Sequence, residues 1–72
     1  MPLVQIKVFE NELSQSQSAE LIERITEIVT DITSEKIREV TWVIIDEIKS
    51  GQWGVGGNAL GLDDVNKLIA SG

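Results

Sequence analysis

Cysteine and histidine are both absent from this chain. Without cysteine there can be no disulfide and no thiolate metal site. Without histidine the commonest metal ligand is missing, and so is the commonest general base near neutral pH. No apolar run approaches the ~20 residues needed to span a bilayer. The N-terminus lacks the basic-then-apolar pattern of a signal peptide. Positive charge is scarce: six Lys and Arg stand against twelve Asp and Glu, a net charge of −6. Such a chain has no basic patch to offset phosphate repulsion, so nucleic acid is not an expected partner. The expectation is a soluble cytoplasmic protein with no membrane partner, no metal and no cofactor.

Length sets the next bound. Seventy-two residues make one domain, residues 1–72. A chain this short buries only about 60% of the surface its unfolded form exposes. Small domains compensate with disulfides, metals or oligomerisation. With the first two excluded, oligomerisation remains.

Residues 3–9, Leu-Val-Gln-Ile-Lys-Val-Phe, form a β-branched run. Val4, Ile6 and Val8 lie on one face; Leu3, Gln5, Lys7 and Phe9 lie on the other. A loop follows at 10–13. Ser14 with Gln17 fits a capping box, and Ser16 is an alternative helix start. Leu21, Ile22, Ile25, Ile28, Val29 and Ile32 then make one helical stripe over roughly 15–33. A short helical turn is expected over 34–39. Residues 40–46 read as a second strand, ending on Asp46 and Glu47. Those two carboxylates point to opposite faces and do not form a paired acid and base. This strand is apolar on both faces, and a single helix covers only one. A partner subunit must cover the other.

Strand, helix, strand in this order predicts a βαβ unit with parallel strands and a right-handed crossover. Two strands alone make a poor sheet; pairing about a two-fold axis would give four. Four glycines within 51–57 mark turns, and Trp53 with Val55 can form a short hairpin. Residues 62–70 carry Leu62, Val65, Leu68 and Ile69 on one side, which predicts a short tail helix. The fold class is therefore α+β.

The chain has a single proline, Pro2, directly after the initiator methionine. Removal of Met1 would make its ring nitrogen a secondary amine. Such an amine can take a proton from carbon next to a carbonyl, or attack the carbonyl. Burial in an apolar site disfavours its charged form and so keeps the lone pair available. The plainer alternative is a proline that opens a strand, where it is tolerated.

Three features taken together decide between these. Pro2 opens Pro-Leu-Val-Gln-Ile-Lys-Val, the amphipathic helix follows, and Val43-Ile44-Ile45-Asp46-Glu47 leads into Gly51-Gln52-Trp53-Gly54-Val55-Gly56-Gly57. Across roughly residues 2–57 the chain resembles the tautomerase superfamily, and in particular its small 4-oxalocrotonate tautomerase group. The resemblance implies a βαβ protomer with a C-terminal hairpin, dimers with a four-stranded sheet, and a homohexamer built as a trimer of dimers. It implies that Pro2 acts as general base and then general acid on a small keto or enol acid. Trp53 falls where the family has an aromatic wall near the proline, although an ordinary core or interface aromatic is the alternative.

The chain also departs from the family pattern. The best-known members hold the substrate with two arginines. The first falls about ten residues after the proline, where this chain reads Asn11-Glu12-Leu13-Ser14; the second falls where it has Trp42. Candidate substitutes are Lys7 and Arg38, for each of which a solvated surface charge is the favoured reading, or backbone N–H groups near Pro2 and the glycine run. Trp42 can stack on an aromatic substrate or pack an interface. Candidate site residues are thus Pro2 as catalyst, with Trp53, Trp42 and Arg38 for substrate. The expected activity is tautomerisation of a 2-oxo or 2-hydroxy-dienoic acid or an aromatic enol acid. Hydration, dehalogenation or decarboxylation on the same fold is an alternative, as is a non-catalytic oligomer with a decayed site.

Overall fold

A computed structural model describes residues 1–71. Strand β1 spans Leu3–Phe9 and helix α1 spans Gln15–Ile32. A 3-10 helix, Glu35–Val40, leads into strand β2, Trp42–Ile48. Strands β3, Trp53–Val55, and β4, Asn58–Leu60, form an antiparallel hairpin, and helix α2 covers Leu62–Ser71. The α+β expectation, with parallel strands, a hairpin and a tail helix, holds.

The capping box forms as read: Gln17 N–H donates to Ser14 Oγ at 3.1 Å, and Ser14 N–H donates to the Gln17 side chain at 2.9 Å. The helix stops at Thr33, whose N–H still donates to Val29 O. Between the hairpin strands lie Gly56 and Gly57, at φ 59° and 84°. Two positive φ values in a two-residue loop match the turn whose twist suits a hairpin.

Strand β2 begins two residues later than its expected start at 40 and runs to Ile48 rather than 46. Val40 is drawn into the 3-10 helix, and Thr41 N–H donates to Arg38 O at 3.2 Å. At the other end, pairing with β1 carries the strand past its polar residues: the parallel register matches Leu3 with Trp42, Lys7 with Asp46, and Phe9 with Ile48. Lys7 Nζ and Asp46 Oδ2 meet at 3.3 Å across it.

This register sorts the side chains. Val4, Ile6 and Val8 are half-buried on the helix side with Val43 and Ile45, while Leu3, Gln5 and Lys7 are exposed on the other. Helix α1 packs against β2, with Leu21, Ile25 and Val29 half-buried. Ile22, Ile28 and Ile32, from the same apolar stripe, remain exposed. The stripe is wider than two strands spaced ~4.8 Å apart can cover. Phe9, 5% exposed, is the one buried large apolar side chain among the described residues.

The protomer is extended, 42 × 24 × 20 Å, with a radius of gyration of 15.0 Å. A compact domain of this length has about 11 Å. Its accessible surface is 5548 Å², against about 4400 Å² for a folded monomer of its mass.

Candidate functional site

Pro2 occupies the position before β1 and is half-buried. Its carbonyl accepts the Trp42 N–H at 3.0 Å, which ties the strand end in place. Leu3 and Trp42, matched in the register, flank this end, each 56% exposed. Because α1 runs back along the sheet, its C-terminal residue Ile32 and the following Val40 also lie toward this end, both exposed. Leu3, Ile32 and Val40 were not singled out in the sequence. Strand alternation put Leu3 on the mixed face with Gln5 and Lys7, and only the register sets it beside Trp42.

Trp53 lies at the opposite end of the protomer. Its ring packs on Phe9, centroids 5.1 Å apart and tilted by 41°. Phe9 is seven residues along the strand from Pro2, roughly 20 Å at strand rise. Trp53 therefore does not meet Pro2 within one protomer.

Arg38 is half-buried beside α1. Its guanidinium pairs with Glu27 at 2.8 Å and with both carboxylate oxygens of Glu35, and Nη2 lies 3.4 Å from Thr30 Oγ1. These hydrogen bonds, that to Glu35 foremost, hold its pKa above the ordinary arginine value. The same bond from Arg38 holds the Glu35 carboxyl below its ordinary range. The guanidinium is thus engaged by carboxylates of its own chain.

Glu12 is used locally as well. Its Oε1 accepts the Phe9 N–H at 2.9 Å, while Asn11 takes the left-handed conformation at φ 68°. That carboxylate closes the turn after β1. A shallow groove of about 300 Å³ is lined by Leu13, Gln17, Glu20, Leu21 and Arg24. It follows the first half of α1 and includes none of the candidate site residues.

The tautomerase enzyme family pattern matches residues 2–63. Probable tautomerase K2 of Dickeya dadantii (strain 3937) is 35% identical over 60 residues, covering 83% of this chain and 88% of its own. Among solved structures, DmpI from Helicobacter pylori is 30% identical with a TM-score of 0.70, covering 81% of this chain and 94% of its own. TomN, a 4-oxalocrotonate tautomerase homologue in the tomaymycin biosynthetic pathway, is 28% identical with a TM-score of 0.71, covering 96% and 95%. The chain belongs to the tautomerase family, and this membership supports an isomerase-type activity.

Proposed function

We propose that the protein, once freed of Met1, interconverts keto and enol forms of a small 2-oxo or 2-hydroxy acid with Pro2 as the proton shuttle. The observation that carries this reading is the placement of Pro2, half-buried, at a strand end where its carbonyl is held by the Trp42 N–H. A neutral ring nitrogen takes the enol hydroxyl proton. The resulting ammonium then delivers a proton to carbon, and the amine is regenerated. Apolar surroundings favour the neutral amine and so raise the fraction of active base.

In this reading the site is shared between copies. Among the described residues strand β1 pairs only with β2, so its outer edge is free to pair with a second copy. Antiparallel pairing about a two-fold axis would bring the Phe9–Trp53 end of one protomer to the Pro2 end of the other. Trp53 then serves as the apolar wall for the neighbour's amine. The dimer has a four-stranded sheet, and three dimers would complete a hexamer and cover the remaining apolar faces. Arg38 supports the site by holding the crossover rather than by touching substrate.

The test is ketonisation of phenylenolpyruvate and 2-hydroxymuconate, followed by absorbance, on protein whose intact mass confirms loss of Met1. Pro2→Ala is expected to lose about 100-fold or more in rate, the usual contribution of a positioned acid–base group. Equal rates for the two proteins would rule the proposal out.

A further inference from the structure

The hydrogen bonds at the two ends of β1 show which of its main-chain groups face outward. Trp42 N–H donates to Pro2 O at 3.0 Å, and Glu10 N–H donates to Ile48 O at 2.8 Å. Pro2 and Glu10 therefore turn these main-chain groups toward β2, and alternation turns those of Leu3, Gln5, Lys7 and Phe9 to the outer edge. That edge is closed at Phe9. Its N–H donates to Glu12 Oε1 at 2.9 Å, and its carbonyl accepts the Glu12 N–H at 3.0 Å. Asn11, at φ 68°, bends the chain back so that both bonds form. Half-buried Glu12 thus stands over the outer edge of β1, and no Lys or Arg among the described residues pairs with it.

Leu3, Gln5 and Lys7 are left to pair with a second copy. Antiparallel pairing uses all three when Gln5 meets Gln5 of the partner subunit and Leu3 meets the partner's Lys7. Pro2 then faces the partner's Val8, and the next place along that edge is Phe9 of the partner subunit, capped by the partner's Glu12. Loss of Met1 leaves the ring nitrogen of Pro2 at this place. We infer that Glu12 of the partner subunit completes the Pro2 site, its carboxylate facing the amine across the two-fold pairing and holding the ammonium that delivers the proton to carbon. This rests on Pro2 as the reacting centre and on the pairing proposed above.

Burial favours the neutral amine, whereas a carboxylate within about 4–6 Å favours the ammonium. The other charges near this junction are all exposed: Asp31, Lys36 and Glu39 on the protomer that carries Pro2, and Glu10 and Lys49 of the partner subunit. Solvent and salt screen them. The partner's Glu12 should therefore set the titration of the amine, and kcat/KM should rise at a higher pH than it would without that carboxylate.

Pro2 is the only proline, so isotopic labelling of proline nitrogen gives a single NMR reporter of the amine, on assembled protein whose intact mass confirms loss of Met1. Glu12→Gln removes the charge and keeps an acceptor for the Phe9 N–H. It is expected to lower the pKa of the amine by about one pH unit or more, and to move the rise of kcat/KM to lower pH with it. Glu10→Gln is expected to change the amine far less. An unchanged amine in Glu12→Gln, or an equal change in Glu10→Gln, would overturn the inference. Placement is also read on the native protein. In an assembly mixed from labelled and unlabelled copies, an isotope-filtered NOE is expected between Pro2 Hδ of one copy and Glu12 Hγ of the partner subunit, and its absence would overturn the inference whatever the variants do. Neither measurement needs turnover. Equal turnover by native protein and Pro2→Ala would instead overturn the proton-shuttle role and leave the Glu12 contact to be judged alone.

Discussion

Arg38 and Glu35 form an ion pair whose pH dependence can be stated with its sign. The hydrogen bond from Arg38 holds the Glu35 carboxyl below its ordinary range. A group depressed in the folded state adds stability above its unfolded pKa and loses it as pH falls through the folded value. The pair is largely exposed, so the effect is modest. Glu35→Gln should therefore melt slightly lower than the native protein at neutral pH, and the two curves should converge in acid, below the ordinary carboxylate range. Thermal melts followed by circular dichroism across pH 3–7 check this (the range is about that of carboxylate titration); parallel curves would contradict it. Gly61 offers a steric test at the same scale. It is buried, and a Cβ there would lie 3.0 Å from Asp63 Oδ1 and 3.1 Å from Ser50 Cβ. Ser50 Oγ also accepts the Leu62 N–H at 3.0 Å, at the start of α2. Gly61→Ala should cost about 1–3 kcal/mol through overpacking, read as a lower urea midpoint.

At the scale of elements, those with a local signature were legible in advance. Ser14 and Gln17 set the start of α1 because both capping partners lie within four residues. Ser14→Ala should cost about 1 kcal/mol, measurable by denaturant titration. Gly56 and Gly57 set the β3–β4 turn because only residues tolerant of positive φ sustain it. Gly57→Ala should cost about 1 kcal/mol or slightly more, with the loss concentrated in the hairpin's amide-exchange protection. Strand β2 was displaced by two residues because its limits depend on pairing with β1, a contact some 39 residues distant in sequence. The apolar stripe of α1 was legible too, but not which half of it the sheet would cover.

For the whole molecule, the decisive quantity is uncovered apolar surface. The protomer exposes roughly 1100 Å² more than a folded monomer of its mass should. A standard interface buries about 800 Å² per partner. Leu3, Ile28, Ile32, Trp42, Leu68 and Ile69 are each more than half exposed, and such a surface is expected to be met by other copies. Sedimentation at micromolar concentration should show an assembly and no monomer; a monomer there would remove the shared site from the proposal. The element order, the helix cap, the hairpin turn and the position of Pro2 at a strand start all followed from residues close together in sequence, where periodicity and turn chemistry act. Tertiary structure alone decided that Trp42 adjoins Pro2, that Trp53 stacks on Phe9 at the opposite end, and that Arg38 is held by Glu27 and Glu35. Each of these depends on strand register and on how the crossover packs, and those are set by contacts between residues far apart in the chain.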